Sequence, residues 1–410
     1  MRISKKWKRA VCLSAAAAVV LGGGFMGIQS FSPEKRTITI VEESSPVSAE
    51  AGSGLEIEGK SAVLIDGNSG EVLFEQNSKE HLPPASVTKV MTLLLIMEGC
   101  KSGKISMEDK VTISGEAAGM GGSQMYMEEG EVHTVEELVK GVIMVSANDA
   151  CVALAEHLSG SAENFADSMN RRAEEMGLED SNFVNTNGLP VADHYSCAYD
   201  IGMISKELMK YREVREWFTK WQDEVQVGLP GKEKSFTLTN TNRLIRSYRG
   251  AVGIKTGFTE DAGYCLSAAA ERDSAMMIGV VLGCESSDIR FDEMTKLLDY
   301  GFANYETVII ADRGERIEKI NIEKGNKREL FAAADEKVGI TTEKGNAEAI
   351  RTEAVIYDNI KLPVKKGDKV GSLKVYEGDR KKGEWDLTAD RAMEKADFKT
   401  IYIRMIKKLL

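Results

Sequence analysis

The chain has 410 residues, 42% of them hydrophobic, which is enough for two cored domains with tails and excludes a globally disordered chain. A formal net charge of −11 excludes the basic footprint of a nucleic-acid binder. The four histidines (His81, His133, His157, His194) form no HExxH or Cys/His cluster, so neither a catalytic metal nor a cofactor is expected.

Taken in order, residues 1–49 read as an export signal and linker. Arg2, Lys5, Lys6, Lys8 and Arg9 precede the apolar run Ala10 to Leu21. Val47-Ser48-Ala49 resembles a cleavage site far from that run, so a long cleaved signal is expected over a retained anchor. The six cysteines form no CxxC and no disulfide framework. From Lys60 the pattern turns globular. Ala62 to Asp66 and Glu71 to Glu75 flank Gly67-Asn68-Ser69-Gly70, a β-hairpin.

Pro83-Pro84-Ala85-Ser86 then opens an apolar run closed by Gly99, which predicts a buried helix with Ser86 and Lys89 on one face of its first turn. A Ser beside a buried Lys can be a nucleophile and its base, because burial and the helix dipole both favour the neutral amine.

Further helices are expected over Val135 to Met144, Ala150 to Leu158, Ala162 to Met176 and Ala198 to Tyr211, with Val145 to Asp149 as an interruption. Val252 to Phe258, Gly263 to Ala270 and Ala275 to Gly283 read as an antiparallel meander, closed by a helix from Asp288 to Asn304. Strands at both ends with helices between predict an α+β domain over residues 55–305. Residues 306–390 read as a small all-β domain with strands at Val308 to Ile310, Ile317 to Ile322, Ala354 to Tyr357 and Val370 to Val375.

Residues 391–410 end in a basic amphipathic helix. Phe398, Ile401, Tyr402, Met405, Ile406 and Leu409 share one face, and Lys399, Arg404, Lys407 and Lys408 lie off it. On an acidic protein this predicts a helix lying in a membrane interface, attached to the outer face of the cytoplasmic membrane. The competing expectation is a terminal helix packed on its own domain.

Three short patterns occur in order: Ser86-x-x-Lys89, Ser146-Ala147-Asn148 and Lys255-Thr256-Gly257. Each has a decoy, at Ser32-x-x-Lys35, Ser168-Met169-Asn170 and Lys101-Ser102-Gly103, so context decides. The decoys lie in a linker, inside a helix and in a turn. The first set opens a helix, interrupts two helices and sits on a strand.

With their flanks, Met144 to Ala150, Phe183 to Leu189, His194-Tyr195-Ser196 and Gly253 to Gly257, these motifs resemble the penicillin-recognising serine enzymes. Within that group they are most similar to the low-molecular-mass D-alanyl-D-alanine carboxypeptidases, the S11 serine peptidases. The resemblance implies a β-lactamase/transpeptidase-like domain acting on peptidoglycan stem peptides that end in D-Ala-D-Ala, with β-lactam antibiotics as covalent inhibitors. It implies Ser86 as nucleophile, Lys89 as base and Ser146 as proton relay. Asn148, Lys255, Thr256, Gly257 and Arg290 would bind substrate, and the Ser86 and Phe258 N–H groups would form the oxyanion hole. Phe258 stands where some relatives carry His, and Val252 where an acidic residue is usual. A serine β-lactamase and a non-enzymatic wall-binding protein are the alternatives. The first is disfavoured because Phe183 to Leu189 contains no Glu, and the second because the whole motif set is kept.

Overall fold

The computed structural model describes residues 54 to 409; the expected export signal and its linker lie outside them. β1 (Ser61–Asp66) and β2 (Val72–Gln76) form the expected hairpin. A one-turn 3-10 segment, Ala85–Thr88, leads into α1 (Lys89–Lys101). The helix expected to begin at Ser86 therefore begins three residues later. Ala85 is held at a φ of +47°, which sharpens the turn before Ser86.

After β3 (Lys110–Thr112) comes the short α2 (Gly115–Ala118), and β4 (Val132–Thr134) pairs back on β3. α3 (Val135–Met144) starts on a capping box made by Thr134 and Glu137. α4 (Asn148–Ser159) begins two residues before its expected start, because Asn148 and Asp149 are already helical. α5 (Ala162–Glu175) follows.

The helix expected to run to Tyr211 stops earlier, as α6 (Ala198–Leu208), and a separate α7 (Arg212–Phe218) follows. A hairpin of β5 (Gln222–Val227) and β6 (Lys234–Thr239) was not legible, since its largely exposed strands carry little apolar alternation. α8 (Leu244–Ser247) leads to the meander of β7 (Ala251–Thr259), β8 (Gly263–Arg272) and β9 (Ala275–Cys284), and then to α9 (Ser287–Asn304).

These strands make one antiparallel sheet in the order β2-β1-β9-β8-β7. The period-two alternation of β1 and β9 sorts the two faces. A Cβ on Gly202 of α6 would touch Val63, Ile65 and Val280, whereas one on Gly301 of α9 would touch Leu64 and Met277. α6 therefore covers one face and α9 the other. Val63, Ile65, Ile278 and Val280 join the core that also buries α1, α3 and α4. At roughly 25 cal/mol per Å² of apolar surface, such burial is the main term holding the helical layer to the sheet.

The second domain contains β10 (Tyr305–Ala311) paired with β13 (Val338–Glu343). Beside them is a five-stranded sheet of β11 (Arg316–Asn321), β12 (Glu329–Ala334), β14 (Ile350–Ile356), β15 (Lys369–Glu377) and β16 (Arg380–Ala389). β12, β13 and β16 were not expected; the Ala-rich β12 and the Lys-rich β16 carry little β signal of their own, whereas the β-branched residues of β13 were a signal that was missed. Glu71 of the first domain pairs with Arg380 and Lys382 of the second. The chain ends in α10 (Phe398–Leu409), the helix expected there.

Candidate active site

The site is built where the 3-10 turn, the start of α4, an Asn-rich loop and β7 meet. Lys89 is fully buried at the first position of α1, and Ser86 lies one turn before it, partly accessible. Lys89 Nζ is 2.8 Å from Ser86 Oγ, 2.7 Å from Asn148 Oδ1 and 2.6 Å from the Asn187 carbonyl oxygen. Two of these partners can only accept. A neutral amine has two N–H groups and one lone pair, so donating to both amide oxygens leaves the lone pair for the Ser86 hydroxyl. Burial pulls the Lys89 pKa down to about 8, while Cys151 and Asp149 nearby keep it from falling further.

The sequence places Asn148 by breaking a helix. α3 ends at Met144, and Ser146 takes a left-handed conformation with φ +63° before α4 begins. The Asn148 N–H donates to Ser123 O at 2.7 Å, and its Nδ2 donates to Gly121 O at 2.7 Å. The next residue, Asp149, accepts from the N–H groups of Met125, Met127 and Ala150. The Met-rich loop is thus tied to the same helix start. Ser146 Oγ is buried and has no hydrogen-bond partner among the described residues.

Residues 185–189 form the floor, a role that their sequence alone does not announce. Asn185 Oδ1 accepts from the N–H groups of Asn187 and Gly188, and Asn187 Oδ1 accepts from Leu189 N–H. These turns aim the Asn187 carbonyl at Lys89. Gly188 is required: at φ +82° a Cβ there would lie 1.8 Å from the Ala85 carbonyl oxygen. His194 is a brace behind the turn. Its Nδ1 accepts from Val184 N–H at 3.0 Å, so Nε2 carries the proton and donates to Thr88 Oγ1 at 2.9 Å. Burial and the Lys89 charge hold its pKa down at about 4, which keeps it neutral.

The opposite wall is β7. Gly257 passes so close to Ser86 that a Cβ would lie 3.1 Å from Ser86 N and 3.0 Å from Pro84 O. Phe258 follows, half exposed, its ring 4.3 Å from that of Tyr264. Thr256 Oγ1 is 2.7 Å from Thr241 Oγ1. Lys255 is buried, and its Nζ donates to Thr256 O at 3.0 Å. Burial first, then the charges of Lys89 and Arg290, push the Lys255 pKa well below the ordinary lysine range. For Lys89, burial is the first cause of the lowered pKa, and repulsion between the two lysines disfavours protonating both at once.

Arg290 stands on α9 behind the strand. Its Nη1 donates to Gly257 O at 3.0 Å and to Cys265 O at 3.3 Å, and its Nη2 to Ser287 Oγ. The guanidinium expected to bind substrate here donates to the backbone of β7 and β8, and its buried Nε has no partner among the described residues. The structure therefore brings Ser86, Lys89 and Asn148 into direct contact, sets Gly257 against Ser86, and reaches Arg290 only through the strand.

The model of the D-alanyl-D-alanine carboxypeptidase family, Peptidase S11, matches residues 46–286. That of the penicillin-binding protein 5 C-terminal domain matches residues 305–395. The chain is 42% identical over 353 residues to D-alanyl-D-alanine carboxypeptidase DacF of Bacillus subtilis, covering 86% of this chain and 90% of that protein. It is 34% identical over 330 residues to DacC of Escherichia coli, covering 77% and 80%. Among solved structures, penicillin binding protein 5 from Haemophilus influenzae superposes with a TM-score of 0.66 at 30% identity, over 83% of this chain and 99% of that one. A serine-to-alanine mutant of the Streptomyces K15 DD-transpeptidase superposes with a TM-score of 0.58 at 28% identity, over 61% of this chain and 99% of that one. Because the match runs over more than half of the chain and continues through its second domain, the chain belongs to the D-alanyl-D-alanine carboxypeptidase family of serine peptidases that its sequence resembles.

Proposed function

We propose that this cleft removes the terminal D-alanine from peptidoglycan stem peptides through an acyl-enzyme on Ser86, and that β-lactams trap the same serine. The observation that carries the reading is the Lys89 amine, 2.8 Å from Ser86 Oγ with its other two contacts on amide oxygens. Lys89 takes the Ser86 proton as Oγ attacks the carbonyl carbon between the two D-alanines. The oxyanion meets the N–H groups of Ser86 and Phe258, which the close passage of Gly257 brings to one opening. The proton returns to the leaving amine through Ser146 Oγ, whose lack of a resting partner leaves it able to donate. D-Alanine leaves, and water then hydrolyses the ester to free Ser86.

Asn148 Nδ2 and β7 hold the peptide backbone. The substrate carboxylate meets Lys255 and the Thr256 hydroxyl, and its charge restores the proton that burial disfavours on Lys255. Arg290 serves the same end as a positioning residue, by fixing Gly257. The loop facing Lys89 offers a carbonyl and no Glu carboxylate, which favours slow release of a penicilloyl ester over β-lactamase turnover. The test is intact mass after incubation with a fluorescent penicillin, followed by D-alanine release from a D-Ala-D-Ala peptide. A stable adduct lost in Ser86→Ala, together with release, supports the reading. An adduct gone within seconds with penicilloate appearing points to a β-lactamase, and no adduct on folded protein to a non-enzymatic wall protein.

We further propose that the protein is exported and held on the outer face of the cytoplasmic membrane by α10. Phe398 is 83% exposed and Tyr402 56%, with Ile401 and Ile406 also in solvent. Arg404 contacts the β domain, donating to the carbonyls of Glu323, Gly325 and Asn326. With Arg404 turned to the domain and Phe398, Ile401, Tyr402 and Ile406 in solvent, these apolar side chains are free for lipid. Among the described residues no helix is long and apolar enough to cross a membrane.

A further inference from the structure

His81, Asp180, Cys197 and Asp200 are scattered along the chain and meet at one place in the fold. One donor atom from each of Asp180, Cys197 and Asp200 lies within 4.8 Å of the other two. His81 Nε2 is 3.0 Å from Asp180 Oδ1, and its ring stacks on that of Tyr195 at 4.4 Å. Cys197 and Asp200 are buried, while His81 and Asp180 are partly exposed and form a mouth to solvent. Among the described residues no lysine or arginine pairs with either carboxylate.

Helix capping accounts for only part of this cluster. Cys197 is the N-cap of α6, and its Sγ accepts from Asp200 N–H at 3.3 Å. Ser, Thr, Asp or Asn would fill that position better, since a thiol is a weak acceptor. As a ligand for a borderline-soft ion the thiol serves better than they do. Two carboxylates alone would suit a hard ion; a thiol and an imidazole beside them favour Zn²⁺. Asp200 is already oriented, because its Oδ2 accepts from Asp180 N–H at 3.1 Å and from Ser181 Oγ at 2.7 Å. Such outer hydrogen bonds are what fix a metal-binding carboxylate. Zinc bonds of about 2.0–2.3 Å set tetrahedral donors roughly 3.5 Å apart, which small side-chain rotations reach from this arrangement.

We propose that Asp180, Cys197 and Asp200 bind a Zn²⁺ ion, with His81 as the donor at the mouth. The thiol proton of Cys197 passes to solvent as the sulfur–zinc bond forms. The ion is structural. Leu82 bridges to Ser196, and Asn182 to Tyr195, so the cluster lies where both ends of the loop carrying Asn187 and His194 meet the approach to Ser86. Zinc clasps the base of that floor loop and takes no part in the chemistry at the serine.

The experiment adds Co²⁺ and then Zn²⁺ to the metal-free, full-length protein with its thiols reduced. A single equivalent of Co²⁺ gives a thiolate-to-cobalt charge-transfer band in the near ultraviolet, and Zn²⁺ displaces it. Zn²⁺ at about a hundredfold excess over its Kd raises the melting temperature by about 5 °C. Cys197→Ser, which keeps an N-cap, abolishes the band and the shift. Asp180→Asn weakens Zn²⁺ binding about tenfold or more. Cys100→Ser, at a partly exposed thiol elsewhere, leaves both readouts unchanged. Circular dichroism shows which variants are folded, and Asp180→Asn decides the matter alone should Cys197→Ser not fold. No band on the folded wild type, a band that survives Cys197→Ser, or Zn²⁺ binding that Asp180→Asn leaves unchanged overturns the inference.

Discussion

With Lys89 as the proposed base, the neutral amine is the active form, and a pKa of about 8 makes acylation rise about tenfold per pH unit below that value and level above it. Stopped-flow acylation by a β-lactam between pH 6 and 9.5 reads this directly. A flat profile would remove Lys89 as the base. The stability sign follows from the same shift: between about 8 and the ordinary lysine range the unfolded chain binds the extra proton, so native stability gains from this residue as pH rises through that window. Ser146 makes a second test at this scale. Its hydroxyl has no partner to lose, so Ser146→Ala should leave the melting temperature within a degree or two while lowering the acylation rate about 10²-fold or more. A large loss of stability with little loss of rate would mark it as structural. Much of this was legible in the sequence, because Ser86, Lys89, Ser146 and Asn148 lie in short motifs whose helix-start and helix-break contexts could be read. The Asn187 carbonyl was not, since a main-chain group carries no residue identity. What Arg290 faces was not legible either, because the sequence shows a charge and not the backbone carbonyls beside it.

Elements position these side chains by close approach. Gly188 and Gly257 let the floor loop and β7 press on the Ala85–Ser86 turn from two sides. Gly188→Ala would combine a strained φ with a collision on a backbone oxygen, costing about 3 kcal/mol and displacing the Asn187 carbonyl from Lys89. Denaturant unfolding beside penicillin labelling measures both effects, and a variant of wild-type stability would contradict the packing described. The meander, the first hairpin and α9 were readable because β7, β8 and β9 are apolar runs bounded by polar turns. The β5–β6 hairpin and β12, β13 and β16 were not. Except for β13, whose Val, Ile and Thr residues were a missed signal, these strands are exposed, Ala-rich or Lys-rich, and tertiary pairing decides them over local propensity.

At the scale of the molecule, the catalytic domain is joined to a β domain and a peripheral helix. Deleting residues 398–410 should abolish sedimentation with vesicles containing anionic lipid, and leave soluble D-alanine release unchanged. Replacing Phe398 and Tyr402 by Asp should do the same through loss of the exposed apolar face alone. Binding that survives both changes would move the membrane contact elsewhere. The α10 face could be drawn from the sequence. That Phe398, Ile401, Tyr402 and Ile406 lie in solvent, with Arg404 turned to the domain, could not, because periodicity gives a stripe and not its neighbour.

The pairing of β1 with β9 also governs when the enzyme can act. Ser61 lies opposite Leu282, and Lys89 needs Asn148 and Asn187 to complete its contacts. The first strand therefore waits for the last before the sheet is whole, and β7 reaches Ser86 only as part of that sheet. A chain still being made has its serine long before it has a site for it. Acylation by penicillin is thus a mark of completed folding, and a chain cut short before residue 275 stays unlabelled although every catalytic motif is present.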